Sequence, residues 1–357
     1  MEIKISQFCA MMMMIMFSCF LGIIDSSSFN IAGVDSWLIP IFGLVLGLPI
    51  LFLFLYIYTY RSKYNLNELI INLFGKKIGS ILATIIFIFA MSFTMITFWN
   101  LTTFVASQYL YNTPGWFIDL IFILTTYYFF SKSESTIFRS SLILIYIIII
   151  LFSISFIGLL DKIDINNIRP ILEHGPRPVF NGIYNYIAYT TLPIFTLSIT
   201  PKYRINTKHF TRWIIGTYIV SNLLLFIMLF LLVSVFGIDL VSLYQYPTYH
   251  ILKRVFVGGF IERLENVLSI PYIIVLFIPC AFSSYYSIQS IKDIYGIKKR
   301  YIYPILIILM FISSYMFRNN TIGEQFLIHI YPIFMGIIII GIPILIATKI
   351  TILKLKK

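Results

Sequence analysis

Charge is what this sequence has least of. Asp, Glu, Lys and Arg together make up 11% of its 357 residues, where a soluble domain carries about 25%. A chain so poor in ionic groups cannot clothe a folded surface, so water is excluded as its main solvent. Strand alternation is missing too. Runs such as 140–160 are apolar without a break, whereas a membrane barrel alternates over segments of about ten residues. Cysteine is scarce: Cys9, Cys19 and Cys280 each lie inside an apolar run, with neither a disulfide framework nor metal-ligand spacing. The four histidines, His174, His209, His250 and His329, fall in separate segments with no acidic neighbour at metal or acid–base spacing. No Gly-rich phosphate loop follows a strand. The chain therefore reads as no enzyme, with no cofactor and no metal.

What is present in quantity is hydrocarbon. Hydrophobic residues reach 59% and the mean hydropathy is +0.93. At about 20 residues per crossing, the length holds about ten helices. They are predicted at about 8–31, 37–60, 79–110, 116–130, 140–160, 181–200, 213–236, 266–291, 301–317 and 328–348. The net charge of +12 then speaks of topology and not of nucleic acid, because Lys and Arg collect on the cytoplasmic side of a membrane. With a cytoplasmic N-terminus, 19 of the 26 basic residues fall inside and only Lys162, Arg169, Arg177, Lys253, Arg254, Arg263 and Arg318 outside. The expectation is an even span count with both termini cytoplasmic, the first apolar run being a retained span and not a cleaved signal peptide.

Two spans carry interruptions. In span 1, Gly22 is followed by Asp25, Ser26, Ser27 and Ser28, where a plain crossing would stay apolar. Broken backbone is tolerated at membrane depth only where it faces protein or a water-filled cavity, and transporter folds place ligands at such breaks. A second reading stays open: Phe8 to Asp25 spans roughly 26 Å at 1.5 Å per residue, so the helix could end near Ile24 with the Asp-Ser tract as an outer loop. In span 6, Pro193 removes an N–H directly after Tyr189, Thr190 and Thr191. Interruptions in the first and sixth of ten helices suggest a five-plus-five inverted repeat, about 8–160 and 181–348, within a single polytopic domain of residues 1–357.

Two connections look structured. In 65–77, Leu66, Leu69, Ile70, Leu73 and Phe74 share one helical face, Asn65 and Glu68 can cap its start, and Gly75 can close its end. Between spans 7 and 8, Pro247 can open a helix whose face is Ile251, Leu252, Val255 and Phe256, up to Gly258-Gly259.

Several of these stretches carry a resemblance across essentially the whole chain. Gly33-Val-Asp-Ser-Trp37, Pro114, the Tyr246-Pro247 run with Phe260-Ile-Glu-Arg-Leu-Glu265, and Phe282-Ser-Ser-Tyr-Tyr286 resemble the spore germination permease family. These are the B subunits of Ger-type germinant receptors, within the amino acid–polyamine–organocation superfamily. The resemblance implies an all-α membrane protein with ten helices in a LeuT-like inverted repeat and a ligand between spans 1, 3, 6 and 8. It further implies a site made of Gly22 at the span 1 break, Thr97 and Asn100 beside Trp99 on span 3, Thr191 and Leu192 at the span 6 break, and Ala281 and Tyr285 on span 8. The chain departs from the family in span 1: one glycine replaces Gly-x-Gly, and Asp25 lies near the usual proline. An ionised Asp25 at the pocket would suit an amine, and one in the vestibule would matter little.

The function so implied is a germinant-sensing subunit of a receptor in the spore inner membrane. It would bind a small nutrient, above all an amino acid, and act with a larger membrane subunit and a lipoprotein. The alternative is a secondary transporter of amino acids or amines. Apart from Asp25, acidic residues sit at helix ends or in loops, so no proton relay is visible, although sodium coupling through backbone carbonyls stays open.

Overall fold

A computed structural model describes residues 3–60, 64–191, 193–198, 207–252, 254, 265–316, 323 and 325–355. Among them there is no strand. The chain begins with α1 (Ile5–Cys19), passes through a π-turn (Phe20–Ile24) into α2 (Asp25–Ala32), and turns at Gly33 (φ +54°) through a 3-10 segment into α3 (Ile39–Tyr60). Then come α4 (Leu66–Gln108), α5 (Gly115–Ser131), α6 (Glu134–Ile157), α7 (Arg177–Thr190) and a 3-10 segment at Pro193–Ser198. The remainder is α8 (Thr207–Phe236), α9 (Ile238–Val241), α10 (Pro247–Leu252), α11 (Glu265–Tyr295), α12 (Lys299–Met316), a second π-turn (Phe326–Ile330), α13 (Tyr331–Gly336), a third π-turn (Ile337–Gly341) and α14 (Ile342–Leu355).

Helices that are apolar all round belong in the middle of such a molecule. From Gln7 to Cys19 every residue of α1 except Met13 is buried, against α6, α8 and α11. By contrast α5 is peripheral, with Trp116, Leu124 and Tyr128 each more than half exposed. Apolar side chains turned outward in this way need lipid and not water. The longest pairing is α4 along α11, and α3 packs on α7 and α8.

Among the described residues, six stretches are long and apolar enough to cross a bilayer: Ile5–Tyr60, Leu66–Gln108, Glu134–Ile157, His209–Phe236, Ile270–Tyr295 and Phe326–Leu355, with Gly115–Phe129 a shorter apolar helix. This is a multi-pass membrane architecture. It is coarser than the ten crossings expected, in part because Ile5–Tyr60 is one 56-residue helical run where the sequence suggests two spans. At 1.5 Å per residue that run is more than twice a ~30 Å hydrocarbon core.

The capped helix at 65–77 forms as expected. Asn65 and Glu68 make a reciprocal capping box, and Gly75 (φ 78°) breaks the helical path within α4. Leu66, Leu69, Ile70 and Leu73 of its apolar face are buried. Pro247 opens α10, whose Ile251 and Leu252 are buried. Of the stretch Tyr246–Glu265, residues 253 and 255–264 lie outside the described residues.

Candidate functional site

The helix of span 1 does not end at Ile24. It widens by one residue over Phe20–Ile24, where the Asp25 N–H reaches back to the Phe20 carbonyl, and then continues as α2. The outer-loop reading of the Asp-Ser tract is therefore corrected: Asp25 is fully buried, and Ser27 and Ser28 nearly so. The reason is hydrogen bonding. A widened turn misaligns its carbonyls, and each must find another donor in a dry interior. Here four in a row do. Tyr272 Oη donates to Leu21 O and Asn100 Nδ2 to Gly22 O. Ser26 Oγ donates to Ile23 O and Ser27 Oγ to Ile24 O, both at 3.3 Å.

Gly22 is where that backbone is approached most closely. A Cβ there would stand 2.9 Å from Asn100 Nδ2 and 3.5 Å from Leu276 Cδ2, so any side chain would displace the amide that satisfies the turn.

The second π-turn, Phe326–Ile330, is held in the same way by α7. Tyr189 Oη donates to Leu327 O at 2.7 Å and Asn185 Nδ2 to Ile328 O at 3.1 Å. Between the two π-turns lies a small, partly open cavity. The first turn contributes Gly22, Ile23 and Ser26, α4 contributes Trp99 and Asn100, the segment before α10 contributes Gln245 and Tyr246, and the second turn contributes Leu327 and Ile328. Among the described residues, no side chain in this lining carries a charge. The lining offers amides, hydroxyls, an indole and aliphatic carbon.

Asp25 is not part of that lining. Its Oδ1 accepts from the Ser26 N–H at 2.8 Å and its Oδ2 from Thr248 Oγ at 3.0 Å, so the carboxylate fastens α2 to α10. Around this joint stands an aromatic cluster. Phe104 stacks on Tyr272 with centroids 4.1 Å apart, and meets Tyr246 and Tyr249 edge-on at 5.2 Å.

The other expected site residues fall in different places. Thr97 Oγ is spent on the Phe93 and Thr94 carbonyls at 2.8 and 3.1 Å, and Ala281 is fully buried on the partner helix α11. Thr191 caps α7 and donates to Ile187 O, while Leu192 lies outside the described residues. Tyr285 lines a second cavity with Asn65, Asn67 and Asp293. Of the eight, Gly22 and Asn100 share the cavity between the π-turns. Gln245, Leu327 and Ile328 were not foreseen.

No group of three His, Cys, Asp or Glu that could hold a metal occurs among the described residues. The profile of the spore germination protein family matches residues 2–322. The chain belongs to that family. It is 23% identical over 318 residues to YfkT of Bacillus subtilis (strain 168), covering 87% of this chain and 86% of that one. To spore germination protein XB of Bacillus anthracis it is 25% identical over 307 residues, 84% of each. A spore germination family member built on multiple apolar helices is a germination-related membrane protein.

Proposed function

We propose that this spore germination protein is the ligand-sensing subunit of a germinant receptor, binding a small nutrient between the two π-turns and passing the bound state to partner subunits. The observation that carries the proposal is the uncharged cavity at the widened turn of span 1. A lining without ions suits a ligand without net charge, and an amino acid zwitterion meets that condition. Amide groups such as Asn100 and Gln245 can address its carboxylate or ammonium, and Ile23, Leu327 and Ile328 its side chain. Asp25 stands outside this lining, its oxygens turned to the Ser26 N–H and the Thr248 hydroxyl, which argues for a neutral amino acid over an amine.

The wider reading follows the resemblance. Ten crossings in a LeuT-like inverted repeat, with Ile5–Tyr60 counted as two, bring spans 1, 3, 6 and 8 around the ligand. Thr97, Thr191, Leu192 and Ala281 then shape the walls behind it, and Tyr285 stands further along span 8, at the second cavity. Both termini face the cytoplasm, the membrane is the spore inner membrane, and the partners are a larger membrane subunit and a lipoprotein. A receptor requires ligand to bind one conformation better than another, and the Asp25–Thr248 joint ties the first cavity wall to α10, whose displacement a partner can sense.

The test has two arms. Deleting the gene from the spore-former should remove germination towards one nutrient class and leave other triggers intact. The purified chain in liposomes should show no concentrative uptake of that nutrient. Ion-driven uptake by the isolated chain, with normal germination in the deletion strain, would overturn the receptor and leave the transporter.

A further inference from the structure

Two helices far apart in the sequence end side by side, away from both cavities. α3 closes at Tyr60 and α14 at Leu355, and the two pack against each other. One turn before each end, Tyr56 Oη and Thr351 Oγ1 stand 3.1 Å apart. Thr351 donates its own hydrogen to Ala347 O at 2.9 Å, so Tyr56 is the donor between the helices. A contact in the last turn of both means that they run parallel and leave the bundle at the same face.

Lys354 reaches across this seam. Its Nζ stands 4.6 Å from the Tyr56 ring centroid and 5.6 Å from that of Tyr60, within the range of cation–π attraction. A lysine in the last turn ordinarily answers the carbonyls of its own helix; this one is held over the rings of another. Among the described residues, no carboxylate meets Lys354 and no hydrogen bond engages the Tyr60 hydroxyl. The sequence around both ends is one-sided, with no Asp or Glu in 36–67 or in 325–357. Arg61, Lys63, Lys356 and Lys357 lie outside the described residues and are not counted in the site.

Deeper along the same two helices the surface is hydrocarbon. Phe52 on α3 is 51% exposed, and Leu345 and Ile352 on α14 are exposed to the same degree. Phe52, Tyr56 and Tyr60 follow one another at four-residue spacing, so a single row of α3 passes from an apolar ring to two hydroxyl-bearing ones. An apolar strip thus leads up to a fixed ammonium group and an open hydroxyl.

We propose that the seam between the ends of α3 and α14 binds an anionic phospholipid. Lys354 Nζ and the Tyr60 hydroxyl donate to its phosphate, and an acyl chain lies along Phe52 and Ile352. A zwitterionic lipid carries the same phosphate but brings its own ammonium group, which Lys354 repels, so a net negative headgroup is preferred. Tyrosines and snorkelling lysines are common at headgroup level. What sets this lysine apart is that two rings of a neighbouring helix hold it in place. Lys132, by contrast, rests on a ring of its own helix, Tyr128, at 4.3 Å.

The experiment uses the purified full-length protein in detergent. Its thermal unfolding midpoint is followed while phosphatidylglycerol, phosphatidylcholine with the same acyl chains, or inorganic phosphate is titrated in at constant ionic strength. A saturable rise is expected with phosphatidylglycerol, at clearly lower concentration than with phosphatidylcholine. Lys354→Gln should weaken the phosphatidylglycerol affinity about fivefold, the share of one lysine at a charged headgroup, and Lys354→Arg should retain it. Tyr60→Phe, which removes only a hydroxyl, should weaken it about threefold. Lys132→Gln should leave it unchanged. An equal response to the two lipids, or a loss in Lys132→Gln as large as in Lys354→Gln, would overturn the proposal in favour of general attraction to the face. Saturation by inorganic phosphate would overturn it in favour of a soluble anion. Nutrient response is not the readout, so either failure leaves the receptor reading untouched.

Discussion

At the Thr248 end a carboxylate sits among aromatic rings, fully buried, with one hydroxyl and one backbone N–H as donors. At the Asn65 end another carboxylate, half-buried, takes two side-chain amides and has Lys292 and Lys299 in electrostatic range. Both carboxylates fasten a short helical segment to the bundle, so their task is the same. Their surroundings make them different parts. A dry carboxylate with fixed donors is costly to disturb, since an unpartnered buried polar group loses its full solvation. A half-wet one among mobile charges exchanges partners at small cost. The comparison teaches that this protein has a stiff joint beside its uncharged cavity and a soft joint beside its charged one.

The largest effect should come from filling the stiff end. Gly22→Leu should lower ligand response by about a hundredfold or more, or on the order of 3 kcal/mol, while the protein still accumulates in the membrane. A normal response would remove the π-turn from the ligand site. Next in size is the contrast between the carboxylates. Asp25→Ala should destabilise the fold by about 2 kcal/mol, and Asp293→Ala by about 1 kcal/mol or less, both read from unfolding midpoints in detergent. Equal losses would erase the distinction. Thr248→Ser should keep the Asp25 bond and Thr248→Val should not. Asp25→Asn should leave the preference for zwitterionic over cationic ligands unchanged; a shift in that preference would bring Asp25 to the ligand.

A smaller effect is expected at the soft end. Asn65→Ala removes both the cap of α4 and a donor to Asp293, at about 1 kcal/mol. Hydrogen exchange should then rise across 66–74 and stay unchanged across 20–28. The smallest perturbation concerns orientation alone. Single cysteines at Lys298 and at Asp161 should leave germination intact, with only the one at Asp161 reacting with an impermeant reagent outside.

How much of this could be read in the sequence depends on how local the cause is. The capping pair Asn65 and Glu68, the apolar face of Leu66, Leu69, Ile70 and Leu73, and the stop at Gly75 are written within a few residues, and all three were legible. The end of α7 just before Pro193 is local in the same sense. A π-turn is not, because one surplus residue in a helix leaves no mark on composition. The second turn at Phe326–Ile330, and with it Leu327 and Ile328 in the cavity wall, therefore stayed hidden. Asn185, Tyr189 and Tyr272 did leave a signal, since polar groups in apolar helices must answer something; which carbonyl each answers is a matter of the packed fold. Gly22 and Tyr285, drawn together by resemblance, lie in two different cavities.

The surplus residue in span 1 also behaves as a dislocation does in a crystal row. If the widened turn slides along the helix, the ends of the span need not move. Only the residues it passes rotate, by about 100° each, and advance by about 1.5 Å. Four side-chain donors hold the defect at Phe20–Ile24. Shifting it past Asp25 would swing that carboxylate off Thr248 and change which carbonyls face the cavity, all within an unbroken rod. Such a slide would change the packing at one end of the span while the rod as a whole stays upright.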